Sequence, residues 1–162
     1  MNKNRLVIVD DETDMRNGLQ RLLSREFPGL QIVTLPDAEH AIAYFDKDTA
    51  DLALLDIMMP RMNGLDLLRC LMAKDPWLTA VMMTGFGSIA TAVEAIKLGA
   101  IQYLTKPTDA VQILEALHQD EGNPQVDITS RNFFRTWISH VDSAISRVKK
   151  KASALAGKIL AF

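Results

Sequence analysis

The chain has little that would tie it to an oxidising compartment or to a membrane. Its 162 residues include one cysteine, Cys70, which cannot form an internal disulfide and is typical of a reducing compartment. No apolar run approaches the length that crosses a bilayer, and residues 1–5 lead into a strand-like segment rather than a signal-peptide hydrophobic region. We therefore expect a cytoplasmic protein without a membrane segment.

The composition favours one ordinary domain with a short extension. Apolar residues make up 48% of the chain and charged residues 23%, which is enough for a normal core and argues against global disorder. Residues 1–120 hold 11 Lys and Arg against 17 Asp and Glu, a balance of −6, and residues 121–162 hold 7 against 3, a balance of +4, which together give the net charge of −2. An acidic front and a basic tail indicate two units with different roles.

Five short apolar runs alternate with longer segments of helical period. Their near-continuous hydrophobicity favours a parallel sheet that is covered on both faces. We predict an α/β fold, a compact doubly wound domain with a five-stranded parallel sheet. The runs are Leu6–Val9, Gln31–Leu35, Leu52–Leu55, Ala80–Met83 and Ile101–Leu104, and the predicted helices cover 12–26, 37–46, 63–73, 88–98 and 108–119.

The domain is predicted to end near residue 119. Residues 120–130 contain Gly122-Asn123-Pro124, lack helical period and are typical of a linker. Residues 131–162 are predicted to form one long helical tail with a heptad pattern, which favours helix pairing. The apolar heptad positions are Phe134, Ile138, Val141, Ile145, Val148, Ala152, Leu155, Ile159 and Phe162.

Polar residues follow four of the predicted strands where the apolar runs end. Asp10 and Asp11 follow the first run and Asp56 the third, while Thr84 and Lys106 follow the fourth and fifth. Because the carboxyl ends of parallel strands meet at one edge, we expect these side chains to converge. Three close carboxylates repel one another, and Mg²⁺ with oxygen ligands relieves that repulsion. A nucleophilic carboxylate beside a cation, an amine and a hydroxyl describes a phosphoryl-accepting site.

Each of these strand ends alone has a simpler explanation. Asp10-Asp11-Glu12 at a helix start is more often a capping arrangement that also offsets the helix dipole. Asp56 alone is compatible with a turn that precedes Pro60. The occurrence of polar residues at all four strand ends favours a functional site over four unrelated turns.

The motifs at these strand ends resemble those of the receiver domain of two-component response regulators. The resemblance covers residues 4 to about 119 and implies the flavodoxin-like receiver fold. It also implies that the domain accepts a phosphoryl group from a sensor histidine kinase and is not an enzyme beyond hydrolysing its own aspartyl phosphate. The motifs are Val7-Ile8-Val9-Asp10-Asp11-Glu12, Leu55-Asp56-Ile57-Met58-Met59-Pro60, Met83-Thr84-Gly85 and Tyr103-Leu104-Thr105-Lys106-Pro107.

The resemblance assigns a role to each matching residue. Asp56 would be the phosphoacceptor, and Asp10 and Asp11 would bind Mg²⁺ together with Asp56 and the backbone carbonyl of Met58. Lys106 would pair with the phosphoryl group.

Three further expectations of the resemblance concern signalling. Thr84 would be the switch hydroxyl and Tyr103 the aromatic that packs into the space Thr84 vacates, while a cis peptide would join Lys106 to Pro107. The face made of the fourth helix, the fifth strand and the fifth helix would then change its preference for partners, including a second copy of the chain.

Two other classes of function are compatible with parts of the pattern. A phosphatase-like enzyme with an aspartyl-phosphate intermediate usually has an acid/base aspartate two residues after its nucleophile, where this chain has Met58. A stand-alone interaction module with a degenerate receiver would not need the acidic residues that this chain retains. Both alternatives rank below a response regulator.

The tail leaves the output open. The segment 85–100 and the linker are similar to redox-responsive regulators that carry a Fis-type helix-turn-helix, but residues 131–162 lack the turn and the recognition helix of that module. The heptad stripe favours a homodimer or docking on the receiver, and the tail is also compatible with a solvated basic face on a locally packed helix or with a truncated or altered output domain. A basic cluster could instead contact DNA. This cluster comprises Arg147, Lys149, Lys150, Lys151 and Lys158.

Overall fold

A computed structural model describes residues 5–106, 108, 112–113, 115–116, 146 and 150. The chain divides into two compact units, Met1–Gly122 and Asn123–Phe162. In the second unit the structure describes only Ser146 and Lys150, which are helical and exposed. The predicted linker, the heptad stripe and most of the basic cluster therefore lie outside the described residues.

The first unit alternates strands and helices from its start. The strands are β1 (Arg5–Val9), β2 (Gln31–Leu35), β3 (Leu52–Asp56), β4 (Thr79–Thr84) and β5 (Gln102–Thr105). The helices between them are α1 (Thr13–Glu26), α2 (Ala38–Phe45), α3 (Gly64–Lys74) and α4 (Ile89–Lys97).

All neighbouring strands pair in parallel, in the order β2-β1-β3-β4-β5. The three inner strands are almost wholly buried, whereas β2 and β5 are partly exposed at the edges. A strand buried on both faces needs a continuous apolar run, and this is the pattern of β1, β3 and β4. The doubly wound five-stranded parallel sheet predicted from the sequence is confirmed.

The fifth predicted helix, 108–119, is described in part. Gln112, Ile113, Glu115 and Ala116 are helical, and Ile113 and Ala116 are buried. The rest of that helix lies outside the described residues, as does Pro107, so the predicted cis peptide stays a prediction. Among the described residues no helix has both the length and the apolar character that crossing a membrane requires.

The N-termini of α1, α2 and α4 differ in how their side chains cap the helix. Asp37 caps α2 by accepting the His40 backbone N–H, and Ser88 and Thr91 form a capping box at α4. At α1 the capping position is Glu12, whose side chain makes no capping hydrogen bond. Glu12 is therefore not the side-chain cap of this helix, although Asp10 Oδ1 accepts the Glu12 N–H at 2.8 Å just ahead of it.

Candidate functional site

The sheet brings the ends of its inner strands to one edge. Val9 pairs with Leu55, so Asp10 follows β1 beside the point where Asp56 closes β3. The strand order reverses between β1 and β3, and such a switch point in an open α/β sheet opens a crevice beyond the carboxyl ends of the strands.

Asp56 is held by the backbone on both sides. The Ile57 N–H donates to the Met83 carbonyl at 2.9 Å, and the Gly64 N–H donates to the Ile57 carbonyl at 2.9 Å. A Cβ atom on Gly64 would lie 2.1 Å from the Asp56 carbonyl oxygen. Only glycine permits this approach, so the first residue of α3 closes the β3–α3 loop directly against Asp56.

Three carboxylates form an acidic cluster, Asp10, Asp11 and Asp56. One oxygen from each lies within 4.8 Å of the others. Asp10 is fully buried and Asp56 is 2% exposed, whereas Asp11 lies at the surface. Two buried carboxylates and one at the mouth of the site match the oxygen ligands that a hard divalent cation prefers.

Lys106 supplies the positive charge among these carboxylates. Its Nζ donates to Asp10 Oδ2 at 2.7 Å and to Glu12 Oε1 at 3.3 Å. It also lies 3.4 Å from Asp56 Oδ1, close enough for an ion pair although no hydrogen bond forms. The role of Glu12 was missed from the sequence, because nothing in the local pattern separates it from its acidic neighbours.

Burial and charge shift the pKa values of the site in a consistent way. Burial, reinforced by the charge of Asp10, raises the pKa of Asp56 to about 6, although Lys106 and the Met58 N–H both act to lower it. Burial by itself lowers the pKa of Lys106, but its hydrogen bond to Asp10 and the charges of Asp10 and Asp56 outweigh burial and raise that pKa. The Lys106 ammonium thus offsets part, but not all, of the negative charge of the Asp10 and Asp56 carboxylates.

Asp56 Oδ1 is buried and has no hydrogen-bond partner among the described residues. Most buried polar atoms in proteins are satisfied, so an unsatisfied one calls for an explanation such as an ion or a reactive role. Together with the other two carboxylates, this oxygen suits a divalent cation or an incoming electrophile.

Thr84 and Met58 flank the acidic cluster. Thr84 closes β4 and is fully buried, and its Oγ1 accepts the Phe86 N–H at 3.2 Å. Its carbonyl accepts the Lys106 N–H at 2.7 Å, which ties the ends of β4 and β5 together. Met58 lies two residues after Asp56 with an exposed side chain.

Tyr103 lies on β5 against the loop between β4 and α4. A Cβ atom on Gly87 would lie 3.0 Å from the Tyr103 hydroxyl, so the tyrosine packs where glycine leaves room. That hydroxyl is buried without a hydrogen-bond partner in the described part of the chain. Most buried tyrosine hydroxyls form a hydrogen bond, so the Tyr103 hydroxyl, unpaired among the described residues, is unusual.

An exposed apolar stripe, here called the α4 face, was missed from the sequence. Its most exposed members are Phe86 at 86% and Ile89 at 85%, followed along the helix by Val93 and Ile96. Ile89, Val93 and Ile96 recur every three or four positions and so share one side of α4, and Phe86 lies just before them in the loop between β4 and α4. Apolar periodicity alone does not separate a core-facing stripe from an exposed one.

Comparison with known proteins identifies the family. The model of the response regulator receiver domain matches residues 6–118, which is more than half of the chain. The C4-dicarboxylate transport transcriptional regulatory protein DctD of Rhizobium meliloti (strain 1021) is 33% identical over 128 residues, which cover 79% of this chain and 27% of DctD. The chemotaxis protein CheY of Listeria monocytogenes is 35% identical over 118 residues, which cover 71% of this chain and 96% of CheY.

A solved structure has the same fold. It is the complex of CheX and CheY with BeF3 and Mg from Borrelia burgdorferi, with a TM-score of 0.66 and 26% identity over 70% of this chain and 86% of that one. This chain spans only 27%, 55% and 25% of the lengths of three longer curated relatives. The motifs, the sheet order and these matches agree, and the chain belongs to the response regulator receiver domain family.

Proposed function

We propose that the domain accepts a phosphoryl group on Asp56 from the phosphohistidine of a sensor histidine kinase. Receiver domains of this family interact with histidine kinases and are generally not enzymes. The observation that carries the proposal is the buried Asp56 carboxylate between two aspartates and a lysine, one of whose oxygens has no hydrogen-bond partner in the part of the chain that the structure describes. This is the arrangement that a carboxylate nucleophile for phosphorus requires.

The proposed transfer is a displacement at phosphorus. An Asp56 oxygen attacks, a new P–O bond forms as the N–P bond of the phosphohistidine breaks, and the imidazole leaves. Lys106 pairs with the phosphoryl oxygens, and Thr84 donates a hydrogen bond to one of them. Later attack by water returns the Asp56 carboxylate and releases inorganic phosphate, which is the self-hydrolysis that we expect.

The residues present fit Mg²⁺. Asp10, Asp11 and Asp56 would hold it with the backbone carbonyl of Met58, and oxygen donors of this kind are its usual ligands. When bound, Mg²⁺ supplies positive charge that offsets the charge on the phosphoryl oxygens. Support also comes from the related Borrelia burgdorferi CheY, whose complex contains BeF3 and Mg.

The experiment is labelling with acetyl phosphate and Mg²⁺, followed by intact mass spectrometry. We expect one phosphoryl group per chain, sensitive to hydroxylamine as an acyl phosphate is, and none after chelation of the metal. Asp56→Asn should abolish the label. The matched control is Asp51→Asn, an exposed aspartate just before the opposite end of β3. Equal labelling of wild type and Asp56→Asn would sink the assignment.

We infer further that the α4 face carries the output. Exposed apolar patches on soluble proteins mark sites of protein association, and Phe86 and Ile89 are the most exposed large apolar residues described here. A homodimer formed through this face after phosphorylation is the simplest output. Dimerisation or DNA binding by residues 131–162, and the cytoplasmic location, stay predictions.

The same labelled samples test the output. In sedimentation velocity we expect phosphorylated wild type to associate and Asp56→Asn to remain monomeric. Ile89→Ser should prevent association without changing the label. Trp77→Ser is the control, because Trp77 is also an exposed large apolar residue but lies in the α3–β4 loop and is not part of the α4 face. If labelled wild type stays monomeric, dimerisation fails while phosphoryl acceptance stands.

A further inference from the structure

Arg61 adopts a backbone conformation that most residues avoid. Its φ is 68°, and it is the only non-glycine residue with positive φ in the described part of the chain. The Met62 N–H donates to the Pro60 carbonyl at 2.9 Å, which closes a three-residue turn around Arg61. A turn with this hydrogen bond and a positive central φ is the rare, strained form of the γ-turn. Such strain persists only where surrounding contacts hold it.

The Arg61 side chain supplies such contacts. Its guanidinium lies 3.3 Å from Asp37 Oδ2 through Nη2 and 3.1 Å from Glu39 Oε1 through Nε. Asp37 is itself fixed, because its other oxygen accepts the His40 N–H at 2.9 Å and caps α2. That hydrogen bond, the His40 ring and the charge of Arg61 hold the pKa of Asp37 below its usual value, so the partner stays ionised.

The strained turn lies in the loop that leaves the reactive carboxylate. Arg61 is five residues after Asp56, and the loop ends where Gly64 meets the Asp56 carbonyl. Met58 lies between Asp56 and Arg61, and the hydrogen bond from its backbone N–H acts to lower the pKa of Asp56. The loop is therefore pinned at two places, by a close backbone contact at Gly64 and by ion pairs to the start of α2 at Arg61.

We propose that Arg61 is a positioning residue, which uses Asp37 and Glu39 to hold the β3–α3 loop in the conformation that phosphoryl transfer needs. This inference rests on the proposed function of Asp56. Glycine or asparagine would adopt the same backbone at lower cost but would leave the loop untied. A single exposed ion pair contributes little, but here one planar guanidinium meets two carboxylates, one of them fixed by its capping role.

We expect Arg61→Gly to change the stability of the domain and its rate of phosphorylation in opposite directions. Arg61→Gly relieves the strained backbone, so the melting temperature should stay the same or rise. The same variant should accept phosphate from acetyl phosphate on the order of tenfold more slowly, because a misplacement of about 1 Å can cost up to about a hundredfold in rate. A purely structural role would lower stability and rate together.

Charge variants isolate the ion pairs from the backbone. Asp37→Asn keeps a good N-cap for α2 while removing the charge, and Glu39→Gln removes the second partner. Combined, they should slow labelling as much as Arg61→Gly, and adding Arg61→Gly should slow it no further. Arg61→Lys should recover part of the rate. Because exposed ion pairs are screened by salt, 1 M NaCl should slow wild type more than Arg61→Gly.

Amide hydrogen exchange gives a readout that does not depend on phosphorylation. The Met62 N–H should exchange faster in Arg61→Gly, since the turn that protects it is released. Labelling of Arg61→Gly at the wild-type rate would overturn the positioning role. Unchanged exchange of the Met62 N–H would show that the ion pairs of Arg61 do not hold the turn, and would overturn the inference at its first step. Absence of label on wild type would instead overturn the proposed function, and this inference with it.

Discussion

The two halves of the carboxyl edge of the sheet are built differently. Beyond β1 and β3, the buried Asp10 and Asp56 share Lys106 in a network of short polar contacts. On β5 and in the loop after β4, the Tyr103 hydroxyl has no partner among the described residues, and Phe86 is 86% exposed. The first half is dense in charge and its β3–α3 loop is fixed by the backbone, whereas the second half is apolar and partly exposed. Each half contains one buried oxygen without a hydrogen-bond partner among the described residues, Asp56 Oδ1 in the first and the Tyr103 hydroxyl in the second.

This difference indicates a division between chemistry and readout. Catalytic geometry benefits from groups that are locked before the reaction. A readout needs an element with two arrangements of similar free energy, which a buried site held by close backbone contacts does not offer. Lys106 links the two halves, because its side chain belongs to the acidic half and its N–H donates to the Thr84 carbonyl, and the Ile57 N–H links them again by donating to the Met83 carbonyl.

The largest expected effect tests whether the first half is locked. Gly64→Ala places a methyl group 2.1 Å from the Asp56 carbonyl oxygen and 2.8 Å from the Ile57 Cα, and both are backbone atoms that cannot move aside cheaply. We expect the free energy of unfolding to fall by about 3 kcal/mol. Phosphoryl labelling should fall with it, as measured by chemical denaturation and mass spectrometry.

The control is a second glycine without neighbours. Gly18 lies on α1 with nothing within 4 Å of where its Cβ would stand. Gly18→Ala should therefore stabilise the domain by up to about 1 kcal/mol through helix propensity. If Gly64→Ala behaves like Gly18→Ala, the loop yields easily, and the contrast between a locked half and a loose half is lost.

The next largest effect concerns the stability that the folded domain loses by burying the ionised Asp56 carboxylate. The pKa of Asp56 is raised to about 6, against about 3.9 in an unfolded chain. Between about pH 4 and pH 6 the folded state therefore binds more protons than the unfolded state, so stability falls as pH rises. Above pH 6 we expect metal-free Asp56→Asn to be more stable than wild type by roughly 2 kcal/mol.

Denaturation in EDTA at a series of pH values checks this expectation. The advantage of Asp56→Asn should shrink as pH falls from 6 toward 4, because folded Asp56 becomes protonated there, and it should be lost below pH 4, where Asp56 is neutral in both states. Added Mg²⁺ should also reduce it, because a cation that binds only the native wild type stabilises wild type. A variant that is less stable than wild type at every pH would mean that Asp56 contributes net stability, contrary to a site built for reactivity.

Much of this organisation was readable from the sequence. The apolar runs predicted the sheet because buried parallel strands need continuous hydrophobicity, and each run ends where the chain turns polar. Arg61, Gly64 and Glu12 were not found, because their roles depend on tertiary neighbours: a capped helix start, a carbonyl and an ammonium. The exposure of Ile89 escaped detection for a similar reason, since its spacing equally suits a core.

The smallest expected effect probes the loose half through the two tyrosines of the chain. Tyr103 buries its hydroxyl without a partner, whereas the Tyr44 hydroxyl donates to the Thr49 carbonyl at 3.5 Å. An unpaired buried polar group costs free energy, so Tyr103→Phe should be neutral or stabilise by up to about 1 kcal/mol, while Tyr44→Phe should destabilise slightly. Labelling of Asp56 should be unchanged in both. If Tyr103→Phe destabilises more than Tyr44→Phe, the Tyr103 hydroxyl is satisfied in solution, and the second half is as fixed as the first.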